Sequence, residues 1–243
     1  RIKTIQSSLE IEGNTLTVGQ ITDLINNKRI LAPAKDILEV KNAIQVYSQI
    51  DKFDAYKIDS LFSAHKLLME GLIDNPGKMR TTSVGIAMGK EITHVAPPGE
   101  MVYPLLQNLF EYLKMDNDIS LIKSCVFHYE FEFIHPFTDG NGRMGRLWQT
   151  LLLRDYAKVF EFLPVESLIK ERQQEYYEVL GKSDKQGSST SFIEFMLEIL
   201  HIALNDLLKT QNVSIKDSDR IQLYRDIIGQ NEFSRQDYLR YNK

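Results

Sequence analysis

One stretch of the sequence, residues 135–146, concentrates side chains and turns that could perform chemistry. It reads H-P-F-T-D-G-N-G-R-M-G-R and holds a titratable base, His135, and a carboxylate, Asp139. Two arginines, Arg143 and Arg146, follow three residues apart. A base that works near neutral pH, a carboxylate and two cations together suit a site for a metal-bound polyphosphate.

The Gly-Asn-Gly turn at residues 140–142 and the arginines after it are suited to bind phosphate. Glycines allow the backbone to approach a ligand closely, and a helix predicted to start near residues 141–143 leaves free N–H groups that bind anions. Arg143 and Arg146 fall on one face of its first turn. Cations there oppose the helix macrodipole by about 0.3–1 kcal/mol each, so their presence indicates anion binding.

Asp139 and His135 extend this site beyond simple phosphate binding. An unpaired carboxylate would repel a phosphate, but Mg²⁺ between the two would remove the conflict. His135 can act as a general base. The alternative is a buried loop in which His135 bonds a backbone carbonyl and Asp139 pairs with an arginine. The complete set of residues favours the metal–phosphate site.

The elements that must position this loop are mostly helices, because apolar residues recur at helical spacing along most of the chain. Residues 80–95 differ: they are rich in β-branched residues, with a turn at 88–90, and predict a small β-hairpin. Residues 184–190 are predicted to form a loop. The predicted fold class is therefore mainly α. Helices are predicted over residues 59–69, 102–113, 119–133, 144–156, 167–180 and 191–208.

The string H-P-F-x-D-G-N-G-R-x-x-R resembles the signature of Fic domains at every defining position, and the similarity extends over residues 1–210. The resemblance implies a Fic-type helical bundle with a small β-hairpin flap, whose main chain pairs with target segments. Fic proteins are mostly adenylyltransferases, which move AMP from ATP to a protein hydroxyl. We therefore expect ATP as co-substrate, Mg²⁺ as cofactor, and as acceptor a Ser, Thr or Tyr of another protein or of the chain itself.

The resemblance also implies a role for each residue of the motif. His135 would deprotonate the target hydroxyl, which attacks the α-phosphate, and Asp139 would hold magnesium between the α- and β-phosphates. Arg143 would hold the β-phosphate and Arg146 the γ-phosphate. The anion hole would be formed by Gly140, Asn141 and Gly142.

Some residues outside the motif have two interpretations. Tyr176 and Tyr177 match a pair that lines the adenine pocket in similar proteins, but an aromatic pair on an amphipathic helix could equally belong to the core. His65, His128 and His201 lie on predicted helices without metal-ligand spacing, and we interpret them as structural.

Residues 8–13, S-L-E-I-E-G, resemble the inhibitory helix motif S-x-x-x-E-G of the same family. Taken alone, Ser8 and Glu12 would share one face of an ordinary exposed helix that Gly13 terminates. Beside a Fic motif, the resemblance implies that Glu12 pairs with Arg146 in cis and keeps that arginine from the γ-phosphate. An alternative is that Glu12 aligns a water molecule, so that the same site removes AMP from a modified protein.

Composition excludes several classes of protein. The net charge of −4, from 29 basic and 33 acidic residues, argues against a protein built mainly to coat nucleic acid. A single cysteine, Cys125, rules out an internal disulfide. No apolar run reaches the roughly 18 residues of a membrane span. We expect no membrane association and a cytoplasmic location.

The sequence predicts three regions. Residues 1–35 hold the inhibitory helix, residues 36–210 form the Fic catalytic core, and residues 211–243 form a linker with a partial helical module that resembles the beginning of a winged helix. DNA contact is expected only through a complete C-terminal module. A DNA-binding regulator with a vestigial Fic core is the alternative from another functional class. The sequence leaves open whether the chain forms a homodimer.

Overall fold

Helices account for most of the elements in the computed structural model, so the prediction of a mainly α fold is confirmed. Two short 3₁₀ helices, Ile50–Lys52 and Lys158–Phe162, lie between them. The α-helices among the described residues are α1 (Ile2–Ile11), α2 (Val18–Ile25), α3 (Ala34–Ser48), α4 (Ile58–Met69), α5 (Gly99–Met115), α6 (Ser120–Ile134), α7 (Asn141–Tyr156), α8 (Val165–Glu171), α9 (Gln173–Gln186) and α10 (Thr190–Thr210).

The structure describes residues 1–88, 91–115 and 118–210, and five single positions between 221 and 236. The chain divides into two units, residues 1–204 and residues 205–243. Part of the turn predicted at 88–90 and nearly all of the module predicted at 211–243 lie outside the described residues.

A β-hairpin interrupts the helices between α4 and α5, as the β-branched segment predicts. Strands β1 (Gly85–Met88) and β2 (Glu91–Val95) are antiparallel, and Gly85 pairs with Val95 at the base of the hairpin. The register shifts between Ile86 and Ala87, which is the signature of a β-bulge. We call this hairpin the flap. Because it has only two strands, its outer edges carry backbone groups without a strand partner.

The core packs around α6 and α7, which lie against each other and carry the motif between them. Trp148 of α7 is fully buried, and its indole N–H donates to the Ala55 carbonyl at 2.9 Å. Phe127 and Phe131 of α6 are also fully buried. Truncating such an aromatic side chain costs about 3–5 kcal/mol. The two helices that carry the motif are therefore among the most firmly packed parts of the fold.

Two predicted boundaries are wrong. The helix predicted over residues 167–180 is divided into α8 and α9 at Arg172, which has a φ of −109° and a ψ of 32°. The loop predicted over residues 184–190 is shorter, because α9 continues to Gln186 and ends at Gly187, which has a φ of +59°. Neither change alters the helical spacing of the apolar residues, so that spacing could not predict either boundary.

Among the residues that the structure describes, no helix combines the length and the apolarity needed to cross a membrane.

Candidate active site

The motif forms the connection between α6 and α7, and positive φ angles mark both of its ends. His135 follows the last residue of α6 in a left-handed conformation, with a φ of 48°. Gly140 precedes α7 with a φ of +84°, and a Cβ there would lie 2.7 Å from the Met69 sulfur. Glycine is therefore required at position 140 both by the backbone and by the packing. We call residues 135–140 the motif loop.

Asn141 holds the motif loop closed with its side chain. The Asn141 Oδ1 accepts from the Phe137 N–H and its Nδ2 donates to the Phe137 carbonyl, both at 2.9 Å. The side chain is buried, so these bonds are shielded from water. If Asn141 contributes to an anion hole, the free group is its main-chain N–H in the first turn of α7.

His65 of α4 is a second anchor of the motif loop. Its Nδ1 accepts from the Gly77 N–H at 2.8 Å, so Nε2 carries the proton and donates to the Asp139 carbonyl at 3.0 Å. The ring also stacks on Phe137 with centroids 3.6 Å apart. Burial lowers the pKa of His65 to about 4, so the ring is neutral. The interpretation of His65 as structural missed this contact because no local signal connects α4 to the motif.

The Asp139 carboxylate is the exposed acid of the site. Half of its side chain is accessible, and Oδ1 accepts from the Gly140 N–H at 2.5 Å and from Arg143 Nη2 at 3.0 Å. The described residues contain no group of three or more metal-ligating side chains. Mg²⁺ commonly binds proteins through one or two carboxylates and takes its other ligands from phosphates and water. A single exposed carboxylate beside a phosphate site fits that requirement.

Arg143 is buried but incompletely paired. Its Nη1 lies 3.4 Å from Glu39 Oε1, and its Nε–H has no hydrogen-bond partner among the described residues. Glu39 of α3 accepts a shorter bond, 2.8 Å, from the Asn14 side chain. A buried guanidinium with a donor unused is unusual. Glu39 and Asn14 were not predicted as parts of the site.

Arg146 has the partners that the inhibitory motif predicts. Its Nη2 donates to Glu12 Oε1 at 2.6 Å and to the Ser8 carbonyl at 2.9 Å, and its Nε donates to Ser8 Oγ at 3.0 Å. Only 2% of Arg146 is exposed. Burial acts to lower the pKa of Arg146, but the Glu12 carboxylate outweighs it, so the pKa lies above its ordinary value.

The Glu12 carboxylate also lies over the start of α7. A Cβ added to Gly142 would be 2.5 Å from Glu12 Oε1, so only glycine leaves room for this approach. Anions are stabilised at this end of a helix by its free N–H groups and its macrodipole. Glu12 therefore occupies the position that the sequence assigns to phosphate.

The end of α1 is fastened to α8 and α9, which places Glu12. Lys170 donates to the Glu10 carbonyl at 3.3 Å, and the Gln173 side chain donates to the Ile11 carbonyl at 3.1 Å. Charged or amide donors at the last carbonyls of a helix satisfy groups that have no partner within the helix.

The two tyrosines differ in their surroundings. Tyr176 is 1% exposed, and its hydroxyl lies 3.0 Å from His128 Nε2. Burial lowers the pKa of His128 to about 3, so the ring is neutral; its Nδ1 donates to Gln149, and Nε2 accepts from Tyr176. These contacts favour the core interpretation for Tyr176. Tyr177 is half-buried against it, with ring centroids 5.2 Å apart.

A helical domain of this kind is also found in known proteins. The model of the Fic/DOC family matches residues 55–153. A Fic family protein from Desulfovibrio desulfuricans G20 is 45% identical, over 98% of this chain and 73% of that one, with a TM-score of 0.84. The chain belongs to the Fic family.

More distant relatives have named activities. Protein adenylyltransferase fic-1 of Caenorhabditis elegans is 28% identical over 206 residues, which are 79% of this chain and 38% of the relative. Protein adenylyltransferase Fic of Nematostella vectensis is 29% identical over 205 residues, 79% of this chain and 45% of the relative. The chain thus spans less than half the length of these relatives. A solved structure of Fic-1 from C. elegans has a TM-score of 0.71 at 21% identity, which supports the fold.

Proposed function

We propose that the chain transfers AMP from ATP to a Ser, Thr or Tyr hydroxyl of a protein, and that Glu12 inhibits this transfer in cis. The observation that carries the proposal is the Arg146–Glu12 pair, 2.6 Å long and set against the start of α7. A carboxylate held there indicates a site built for anions. The names of the relatives, protein adenylyltransferases, support AMP as the transferred group.

The residues of the motif loop and α7 supply the chemistry. His135 would take the proton of the target hydroxyl, whose oxygen then attacks the α-phosphorus. A new P–O bond forms, the bond from that phosphorus to the bridging oxygen breaks, and pyrophosphate leaves. Arg143, Arg146 and the first N–H groups of α7 would stabilise the charge that develops on the phosphates.

Asp139 is the residue that would hold Mg²⁺. Its carboxylate is exposed and fixed by the Gly140 N–H and by Arg143. A bound Mg²⁺ would neutralise phosphate charge and orient the leaving group. His65 contributes indirectly, because its bond to the Asp139 carbonyl fixes the backbone from which the carboxylate extends.

Glu12 would inhibit by competition for Arg146. A guanidinium that donates to a carboxylate at 2.6 Å cannot direct the same donor to a γ-phosphate. A hydrogen bond to a charged group contributes about 1.5–3 kcal/mol, and each 1.4 kcal/mol corresponds to about tenfold in affinity. Loss of the Arg146 contact would therefore weaken ATP binding about 10- to 100-fold.

At the adenine end, Tyr177 is the better candidate of the tyrosine pair. It is half-buried on α9, whereas Tyr176 is enclosed and bonded to His128. Tyr177 would line the pocket, and Tyr176 would support it from the core. DNA contact through a complete C-terminal module and assembly into a homodimer stay predictions.

The direct test is the Glu12→Gly protein incubated with Mg²⁺, a cell lysate and ATP labelled at either the α- or the γ-phosphate. Relative to lysate alone, we expect additional protein-bound label from α-labelled ATP only, well above that of the wild type, and mass spectrometry should identify AMP on a hydroxyl side chain. Label from γ-labelled ATP would indicate phosphoryl transfer instead. Equal incorporation by wild type and variant would contradict inhibition by Glu12.

The reverse reaction is the second candidate, and one observation favours it. About a third of the Glu12 side chain is exposed (32%) although it bonds Arg146, so it could also align a water molecule. Wild type incubated with an AMP-modified protein and no ATP separates the two. Release of AMP that Glu12→Gly abolishes would support removal, and stable modification would exclude it.

A further inference from the structure

The side chain of Arg80 binds the backbone that carries the proposed base. Arg80 is 3% exposed and lies between α4 and β1. Its Nε donates to the His135 carbonyl at 2.7 Å, and its Nη2 donates to the Ile134 carbonyl at 3.0 Å. The Arg80 main-chain N–H donates to the Pro136 carbonyl at 2.9 Å. Arg80 therefore satisfies the end of α6 and fixes the backbone around His135.

The same guanidinium binds both ends of the flap. Arg80 Nη1 donates to the Thr82 carbonyl at 2.6 Å, just before β1, and Nη2 donates to the Pro97 carbonyl at 2.7 Å, just after β2. At the same end of the hairpin, the Ala96 N–H donates to the Val84 carbonyl at 3.1 Å. One side chain thus joins the base of the flap to the backbone of the motif loop.

Only an arginine can make this set of bonds. Its guanidinium presents five donors in a rigid plane, whereas a lysine ammonium is a point charge with three. Arg80 forms no salt bridge with any carboxylate among the described residues, and burial lowers its pKa. A buried charge without a counter-ion is costly. The planar arrangement of guanidinium donors, rather than charge pairing, therefore explains why an arginine occupies this position.

We propose that Arg80 is a positioning residue for the protein acceptor: it holds the flap in register with His135. The inference rests on the proposed function. An extended segment can pair with the open edge of a two-stranded sheet, and its hydroxyl then reaches His135 only if the flap keeps its place. The bonds of Arg80 are to residues 134–136 and to the two ends of the flap, not to Asp139, Arg143 or Arg146, so we expect its loss to affect the acceptor more than ATP.

The test uses Arg80→Lys in the Glu12→Gly protein, with Arg154→Lys as the matched control. Arg154 lies near the end of α7 and pairs with Glu161 of the following 3₁₀ helix. It is not among the residues proposed to bind ATP, the metal or the acceptor. Three quantities are measured with α-labelled ATP and purified protein: the Kd of ATP, the AMP joined to the protein itself, and the free AMP formed with water as acceptor. Water needs no flap, so the ratio of protein-bound to free AMP reports positioning.

We expect Arg80→Lys to lower the ratio of protein-bound to free AMP at least tenfold, while the Kd of ATP changes less than twofold. Arg154→Lys should leave both unchanged. An unchanged ratio of protein-bound to free AMP, including the case in which both products fall equally, would overturn the proposal. Absence of any AMP transfer by the Glu12→Gly parent would instead contradict the proposed function, so the two failures are distinct.

A second measurement needs no substitution at Arg80. In hydrogen exchange of the Glu12→Gly protein, the Ala96 amide, which donates to the Val84 carbonyl, should be protected, because Arg80 holds Thr82 and Pro97 on either side of that bond. Exchange at Ala96 as fast as in the exposed connection at residues 187–189 would overturn the proposal, whether or not Arg80→Lys folds.

Discussion

Arg146 and Arg80 are both almost fully buried beside the motif loop, but they have different kinds of partner. Arg146 donates to a carboxylate, Glu12, as well as to the hydroxyl and the carbonyl of Ser8, whereas the side chain of Arg80 donates to main-chain carbonyls alone among the described residues. A phosphate can replace a carboxylate, because both are anions that the guanidinium binds through charge-assisted bonds. Phosphate cannot replace carbonyls that belong to the fold. Arg146 is therefore an exchangeable contact and Arg80 a permanent one.

The partners of the two arginines also predict which parts of the site can move. Glu12 lies at the end of α1, which Lys170 and Gln173 hold through bonds to two carbonyls. Arg80 holds residues on both sides of the flap and at the end of α6. On the proposed mechanism, release of inhibition would require displacement of Glu12 and nothing on the flap side.

The largest effect is expected at His135, the proposed base, which lies between the Arg80 side and the Arg146 side of the site. In the Glu12→Gly protein, His135→Ala should lower AMP transfer by about 10³-fold, because a general base contributes roughly 10²–10⁴. ATP affinity, measured by calorimetry, should change less than twofold. His201→Ala, at an exposed histidine of α10, is the control and should retain activity. Loss of ATP binding together with transfer would count against a role as base.

A smaller effect is expected at Ser8, which tests whether Arg146 is held by more than Glu12. Ser8→Ala removes the bond from Arg146 Nε to Ser8 Oγ and keeps the bond to the Ser8 carbonyl. One net hydrogen bond is worth about 1 kcal/mol, so basal AMP transfer should rise about fivefold. Added to Glu12→Gly, the same substitution should have no further effect. A full effect in both backgrounds would show that Ser8 acts independently of the restraint.

The smallest effect concerns stability on the Arg146 side. Glu166 of α8 is 2% exposed and lies close enough to Arg146 for that charge to act on it. Burial raises the pKa of Glu166 from 4.5 to about 7. The folded protein therefore binds the proton more tightly than the unfolded chain, and ionisation of Glu166 lowers the free energy of unfolding as pH rises from 4.5 to 7.

Glu166→Gln removes this ionisation and keeps a neutral side chain of the same shape. At pH 8 the variant should be more stable than the wild type by about 3 kcal/mol at most, since one pKa unit corresponds to about 1.4 kcal/mol. At pH 4 the two should be equally stable. Urea unfolding at both pH values measures the difference. A stability difference independent of pH would contradict the assignment to Glu166.

The sequence predicts the Arg146 side of the site better than the Arg80 side. Glu12 and Arg146 are separated by 134 residues, yet each belongs to a short motif whose residue types indicate the pairing. His65 and Glu39 carry no such local signal, and the residues next to Arg80 in the sequence do not indicate its partners. Their contacts exist because α3, α4 and the flap pack around α6 and α7, and that packing depends on tertiary structure rather than on spacing.

The boundaries of helices also depend on tertiary contacts that the spacing of residues does not show. The long helices α7 and α10 are predicted because their apolar residues repeat at 3.6-residue spacing. The break between α8 and α9 at Arg172 is not predicted, because Tyr176 continues the apolar pattern beyond the break. What fixes the position of Tyr176 is its bond to His128 of α6, a contact between distant parts of the chain.

The most direct test of the account is the affinity of ATP for two matched variants. Glu12→Ala removes the partner of Arg146, whereas Glu10→Ala removes a carboxylate two residues away that bonds Gln6 at 2.8 Å. Isothermal calorimetry with ATP and Mg²⁺ should give Glu12→Ala a Kd about 10- to 100-fold lower than that of the wild type, and Glu10→Ala an unchanged one. The same affinity in all three proteins would contradict the claim that Glu12 competes with ATP for Arg146.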